Sequence, residues 1–132
     1  MNRLKVSIKS EADIHYLSSE VRTLFSSFQL PAVIMARVKT ILFELAYNQL
    51  KYAKRGYMEI QLIEEIKRKG VVIIASDKGP GIENLDLAIS DNYSTSGTLG
   101  LGLPGIKRMA DEMTIESTPG KGTVVKVSLW EL

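Results

Sequence analysis

The stretch Val71-Val-Ile-Ile-Ala-Ser-Asp77-Lys-Gly-Pro-Gly81 joins an apolar run to a polar turn rich in glycine. The unbroken apolar run from Val71 to Ala75 predicts a central strand buried on both faces, which ends at Asp77. There the carboxylate can accept a hydrogen bond from a ligand's exocyclic amine, while Gly79 and Gly81 let backbone approach a flat ligand closely. The alternative is a turn carboxylate in an ordinary Lys-Gly-Pro-Gly loop, and the tetrapeptide alone leaves both open.

A helix that precedes this strand is predicted to carry further site residues. Pro31 suits its first turn, and its buried face is formed by residues at helical spacing, namely Ile34, Val38, Ile41, Leu42 and Leu45. Glu44 and Asn48 lie one turn apart at the edge of that face. The amide oxygen of Asn48 suits Mg²⁺, and Glu44 can take a proton from an incoming hydroxyl or water. Lys51 can reach phosphate from the next turn. A helix-surface pair and a solvated lysine are the alternatives.

A second glycine cluster, Gly97-Thr-Leu-Gly100-Leu-Gly102, precedes a helix predicted from about Pro104 to Met113. Glycine amides that open onto a helix N-terminus favour bound phosphate. The run from Gly100 to Gly105 also satisfies the dinucleotide fingerprint, but it follows a polar segment instead of a strand, so we reject that match. The small polar residues from Asp91 to Thr98 predict a mobile loop, and a flexible loop with a glycine-rich helix entry is the alternative.

The remaining pattern predicts an α/β fold with a single domain over residues 1–132. Alternation at Leu4, Val6 and Ile8 predicts a first strand, and Ser10 offers a cap for the helix that follows. Another strand is predicted around Met58 to Leu62, and residues 114–118 and 123–129 form a hairpin. Thr123, at the start of the last strand, can hydrogen-bond a ligand's base or a buried water. We expect a two-layer sandwich in which helices cover one face of a mixed β-sheet.

Composition excludes several classes of protein. The chain has 132 residues, a net charge of +2, no cysteine and one histidine, so thiolate and zinc sites have no basis. No basic run is interleaved with aromatic residues, which argues against nucleic-acid binding. No apolar stretch approaches the roughly 20 residues that cross a bilayer, and no signal peptide is evident at the N-terminus. These features predict a cytoplasmic protein without a membrane segment.

With these residues in view, the chain resembles the GHKL ATPase superfamily, whose Bergerat-type ATP-binding fold is shared by gyrase, Hsp90, MutL and histidine kinases. Glu44 to Asn48 is similar to its N box, the two glycine clusters to its glycine boxes, and Gly122-Thr123 to its last motif. The resemblance implies that ATP and Mg²⁺ are bound, with Glu44 as the catalytic base and Asn48 as the metal ligand. The implied ATP-binding residues are Asn48, Lys51, Asp77, Gly79, Gly81, Ile82, Thr95, Ser96, Gly97, Gly100, Leu101, Gly102 and Thr123.

Within the superfamily, residues 91–108 resemble the RsbT type of serine/threonine switch kinase in bacterial stress signalling. This resemblance implies phosphorylation of a STAS-domain antagonist, part of a stressosome assembly, followed by activation of a PP2C-type phosphatase by the released kinase. It also implies a monomer when the kinase is free. The rival is an anti-sigma factor kinase, which shares the fold and the chemistry but sequesters a sigma factor as a dimer.

Overall fold

The structure is a computed structural model, and it describes residues 2–81 and 102–131. Within these ranges a five-stranded sheet packs against helices. In chain order the elements are β1 (Arg3–Ile8), α1 (Glu11–Leu24), a 3₁₀ turn (Phe25–Ser27), α2 (Ala32–Asn48), a π-helical turn (Gln49–Ala53), β2 (Gly56–Glu64), β3 (Lys69–Asp77), α3 (Gly102–Met109), β4 (Glu112–Thr118) and β5 (Gly122–Glu131).

The strand order is β1-β2-β3-β5-β4, and all four pairings are antiparallel. The α/β two-layer class is confirmed, but a mixed sheet was wrong. Two helices join β1 to β2 and return the chain to the end of the sheet where β1 finished, so β2 runs back beside it. β3 and β4 do run in the same direction, yet β5 lies between them and pairs with both.

The core lies between the helices and one face of the sheet. Alternation places every second strand residue on that face, and β-branched side chains fill it, as expected for a pleated surface packed on one side. The fully buried members include Ile8, Ile14, Leu17, Val38, Ile41, Met58, Ile60, Val71, Ile73, Ile106 and Val127. On the opposite face of β3, Val72 is buried but Ile74 and Ser76 are only partly covered. The expectation that β3 is buried on both faces therefore holds in part.

Three helix boundaries differ from the sequence expectation or refine it. Ser10 is the N-cap residue of α1, and the Asp13 carboxylate accepts from its backbone N–H at 3.2 Å. Pro31 is the N-cap of α2 and not part of its first turn. Helix α3 ends at Met109 instead of near Met113, because the Asp111 N–H donates to the Ser128 carbonyl at 3.0 Å and directs the chain into β4.

Two aromatic residues of α2 remain largely outside the core. Phe43 and Tyr47 are 37% and 44% exposed. Phe43 also lines an apolar groove of about 200 Å³ between α1 and α2. Leu50, in contrast, packs against the core. Among the helices that the structure describes, none is long and apolar enough to span a membrane.

The outer face of the sheet carries a well-buried carboxylate. Glu59 is 9% exposed, and its Oε2 lies 2.8 Å from Arg3 Nε and accepts from Gln61 Nε2 at 2.6 Å. The hydrogen bond from Arg3 is the main reason that the pKa of Glu59 is lowered, although burial acts in the opposite direction. This cluster joins β1 to β2 at the edge of the sheet.

Replacing Glu59 with glutamine should lower the free energy of unfolding at neutral pH by about 1 kcal/mol or less, since Arg3 is exposed and its charge is screened. A carboxyl with a lowered pKa stabilises the fold above its unfolded pKa, and the contribution is lost as pH falls through the folded pKa. The difference in unfolding free energy between wild type and variant, measured by urea unfolding, should therefore shrink as the pH falls below 4.5, the ordinary pKa of a glutamate carboxyl.

Glu64→Gln, at the exposed end of the same strand, is the matched control and should leave stability unchanged. A difference between Glu59→Gln and wild type that stays constant from neutral to acidic pH would contradict the assignment.

Candidate functional site

One row of paired residues lies at the end of the sheet. Gly56 pairs with Asp77, Asp77 with Thr123, and Thr123 with Ser117. Asp77 is in phase with the buried Ile73 and Ala75, so its side chain is on the face that the helices cover. The row therefore directs polar groups into the space between the two layers.

Asp77 is held by the turn that follows it. Its Oδ1 accepts a hydrogen bond from the Gly79 N–H at 2.9 Å, and Oδ2 accepts none from residues 2–81 and 102–131, so Oδ2 is the oxygen open to a ligand. This is an Asx-type turn, in which the side chain copies a backbone turn and fixes its own rotamer. The carboxylate predicted to be a ligand acceptor is thus both oriented and half-buried.

Glycine allows the loop after β3 to pack tightly on two sides. A Cβ at Gly79 would lie 2.6 Å from Ala53 Cβ, in the π-helical turn. A Cβ at Gly81, where φ is 78°, would lie 2.5 Å from the Thr118 carbonyl oxygen. Side chains do not fit at such distances, so both predicted glycines are required by close approach of backbone. The loop is clamped between the end of the α2 segment and the β4–β5 turn.

Gly122 and Thr123 complete this end of the sheet. Gly122 has a φ of 128°, and a Cβ there would collide with the Asp77 carbonyl oxygen. The Thr123 hydroxyl lies 2.9 Å from the Ser117 hydroxyl, which also donates to the Gly122 carbonyl at 3.1 Å. Ser117 was not predicted as part of the site, although it continues the inward alternation of Met113 and Ile115 in β4.

Glu44 and Asn48 lie on the last turns of α2, and both are half-buried, as predicted from their position at the edge of the apolar face. The helix continues directly into the π-helical turn, where Ala53 meets Gly79. This contact joins the segment that carries Asn48 to the loop that follows Asp77. The exposed Lys51 places its ammonium 5.2 Å from the centre of the Tyr52 ring, so its assignment to phosphate stays a prediction.

The glycine cluster before α3 is described only at its end. Gly102 begins α3 with a φ of 47°, a conformation that favours glycine. The other predicted ligands in this region lie outside the described residues, as does the loop predicted from Asp91 to Thr98; these ligands are Ile82, Thr95, Ser96, Gly97, Gly100 and Leu101. Their roles stay predictions.

Gln49 is a site-adjacent residue that the sequence interpretation missed. It is 3% exposed, and its Nε2 donates to the carbonyls of Tyr57 and Ser76 at 3.0 and 3.1 Å. A signal was available, because Gln49 follows the buried Ile41 and Leu45 at intervals of four residues. A polar residue in phase with a buried stripe predicts a buried hydrogen-bonding role.

The family model of histidine kinase-, DNA gyrase B- and HSP90-like ATPases (HATPase_c) matches residues 35–131. The chain belongs to this family. The serine/threonine-protein kinase RsbT of Bacillus subtilis (strain 168) is 38% identical over 95% of this chain and 94% of its own. An anti-sigma F factor of Caldanaerobacter subterraneus subsp. tengcongensis is 31% identical over 97% of this chain and 92% of its own.

Among solved structures, the catalytic domain of histidine kinase ThkA has a similar fold. It has a TM-score of 0.52 at 19% identity and covers 98% of this chain and 95% of its own. The HATPase_c membership confirms the predicted superfamily, and the RsbT relative confirms the predicted enzyme class, a protein serine/threonine kinase. ATP is the nucleotide that this family implies.

Gly122→Ala should lower the free energy of unfolding by about 3 kcal/mol or more, because the new Cβ would meet the Asp77 backbone in a conformation that only glycine adopts readily. Gly120→Ala is the matched control, since Gly120 also has a positive φ of 80° but open space around its Cα. The control should lose only about 1 kcal/mol, the cost of the left-handed conformation. Urea unfolding of both variants measures the difference. Equal losses of unfolding free energy would show that the close contact with Asp77 does not contribute to the effect.

Proposed function

We propose that the protein is an ATP- and Mg²⁺-dependent kinase that phosphorylates a serine or threonine of a STAS-domain antagonist protein. The observation that carries the proposal is the contact between Ala53 and Gly79, which joins the helix of Glu44 and Asn48 to the strand end of Asp77. A base subsite and a phosphate subsite thereby belong to one surface between the helices and the sheet.

Asp77 and Thr123 form the base subsite of this proposal. Oδ2 of Asp77 accepts a hydrogen bond from the exocyclic amine of adenine, since Oδ1 is occupied by the Gly79 N–H. The Thr123 hydroxyl, supported by Ser117 at 2.9 Å, offers a second polar group beside it. Gly79 and Gly81 let the loop after β3 pack tightly against Ala53 and Thr118, and this packing supports the position of Asp77.

Asn48 is the proposed ligand of Mg²⁺. The part of the chain that the structure describes holds no cluster of three or more His, Asp or Glu that could bind a metal. Mg²⁺ needs few protein ligands when phosphate oxygens and waters complete its octahedron, so a single amide oxygen fits its chemistry. When bound, the ion supplies charge that neutralises the phosphates.

Glu44 is the proposed general base. It lies one turn before Asn48, half-buried on the same edge of α2. Its carboxylate accepts the proton of the substrate hydroxyl while the hydroxyl oxygen bonds to the γ-phosphorus. The bond from that phosphorus to the bridging oxygen breaks, and ADP leaves with the electron pair. Phosphoserine or phosphothreonine and ADP are the products.

The RsbT-type resemblance and the 38% identity to the kinase RsbT support the proposed partners. The substrate is a STAS-domain protein of a stressosome assembly, and the kinase released from it activates a PP2C-type phosphatase. The setting is the cytoplasm and the output is a stress response. Neither nucleic acid nor membrane is a partner in this scheme.

A second candidate function is sequestration of a sigma factor, favoured by the matches to anti-sigma F factors over most of the chain. That function requires a dimer, whereas the switch kinase is a monomer when free. Light scattering of the purified protein separates the two, because a single species at the monomer mass of 14.6 kDa supports the switch kinase. A stable dimer of twice that mass would favour the anti-sigma type.

Glu44→Ala should lower the rate of phosphate transfer about a hundredfold or more while ATP still binds, because a positioned base is lost and the nucleotide contacts remain. Labelled ATP and Mg²⁺ are incubated with a candidate STAS-domain antagonist, and transferred label is measured together with nucleotide affinity. A normal rate of phosphate transfer by the variant would show that Glu44 is not the general base.

Asp77→Asn is the matched binding variant, and it should lose ATP affinity by about tenfold to a hundredfold. The amide presents a donor or a weaker acceptor to the adenine amine, and its hydrogen bond with the Gly79 N–H is no longer charge-assisted. Unchanged affinity for ATP would contradict the base subsite. Tight binding of ATP by wild type without any transfer of label would favour the sequestering function instead.

A further inference from the structure

The buried amide of Gln49 connects two strands at the site. Both protons of Nε2 have acceptors, the Tyr57 carbonyl in β2 at 3.0 Å and the Ser76 carbonyl in β3 at 3.1 Å. Tyr57 and Ser76 lie directly opposite each other on the two strands, so the amide bridges β2 and β3. A side chain from the helical segment is thus attached to the sheet by hydrogen bonds, in addition to the apolar contacts of the core.

The space for this amide exists because residue 56 is glycine. A Cβ at Gly56 would lie 2.6 Å from Gln49 Cδ and 2.7 Å from Nε2, closer than atoms can pack. Oε1 is buried and has no hydrogen-bond partner among residues 2–81 and 102–131. The two hydrogen bonds donated by Nε2 therefore hold the amide in this space, and Oε1 adds none within the described residues.

The two ends of this connection lie next to the residues of the proposed site. Asn48, the proposed metal ligand, immediately precedes Gln49, and Asp77, the proposed adenine acceptor, immediately follows Ser76. One side chain therefore spans from the residue beside the phosphate subsite to the residue beside the base subsite. The contact between Ala53 and Gly79 is the second connection between the same two segments, but it is apolar and lacks direction.

We propose that Gln49 is a positioning residue for the kinase reaction, which fixes the position of Asn48 relative to Asp77 so that one ATP molecule can reach both. The inference rests on the proposed function for the roles of Asn48 and Asp77. Hydrogen bonds have directional preferences that apolar contacts lack, so the amide sets the register of the π-helical turn over the sheet. A ligand that spans both subsites depends on this register, whereas a ligand that fills one subsite does not.

Gln49→Met tests the inference because methionine is of similar length and fills the space without donating hydrogen bonds. Affinity for Mg·ATP should fall about tenfold or more, whereas affinity for adenosine, which occupies only the base subsite, should change less than about twofold. The midpoint of thermal unfolding is measured for the same variant, because a residue with a purely structural role would change this midpoint without changing the ratio of the two affinities. Equal losses for both ligands, or no loss for either, would overturn the proposal.

Gly56→Ala gives an independent test that leaves Gln49 in the sequence. The new Cβ displaces the amide, so the same selective loss of Mg·ATP affinity is expected as in Gln49→Met. In the Gln49→Ala background the amide is absent and its space is open, so adding Gly56→Ala should cause no further loss. Additive losses of Mg·ATP affinity in this double-mutant cycle would overturn the proposal. The cycle does not use Gln49→Met, so it can be interpreted even if that variant does not fold.

These measurements separate failure of the inference from failure of the proposed function. If wild type transfers no phosphate but binds Mg·ATP more tightly than adenosine, the kinase assignment fails while the Gln49 test is still decided by the affinity ratio. If wild type binds Mg·ATP no better than adenosine, the phosphate subsite at Asn48 fails, and the inference falls with it. If wild type transfers phosphate, and Gln49→Met and Gly56→Ala keep the wild-type ratio of Mg·ATP affinity to adenosine affinity, the inference about Gln49 is overturned and the kinase assignment stands.

Discussion

The register of β3 between β2 and β5 is the constraint on which the site depends. Met58, Ala75 and Val125 share one row on the covered face, and the next row toward the end of the sheet holds Gly56, Asp77 and Thr123. Slipping β3 by one residue would move its apolar side chains to the outer face and turn Asp77 away from the helices. Burial of the core therefore fixes where the carboxylate lies, and the chemistry of the site depends on packing several residues away.

Features of the fold that repeat along the chain could be predicted from the sequence. Alternation in β1, β2 and the β4–β5 hairpin, and the apolar stripe of α2, each leave a periodic pattern, so these elements were placed within a few residues. Strand direction has no such pattern. The direction of a strand depends on the connection that precedes it and on which strand is inserted beside it. Only the strand pairing in the structure therefore showed that the sheet is antiparallel.

The same contrast holds for the candidate site. Asp77, Gly79 and Gly81 were predicted because a buried strand that ends in a glycine-rich turn is a local pattern. The burial of Gln49 could have been predicted from its spacing after Ile41 and Leu45, but its partners could not, because they lie 8 and 27 residues away along the chain in β2 and β3. The requirement for glycine at position 56 was equally hidden, since it arises from a side chain that approaches from another element. Local chemistry is readable in sequence, and the contacts that position it are long-range.

The π-helical turn after α2 also limits how the chain can change in length. Removing one residue from Gln49–Ala53 would shorten the π-helical turn and change where the chain after it lies relative to Asn48. Ala53 would then leave Gly79, and the loop after β3 would lose one of its two supports. Insertions and deletions should be tolerated in the turn between β2 and β3, where Ile66 is fully exposed, and excluded between Asn48 and Gly56.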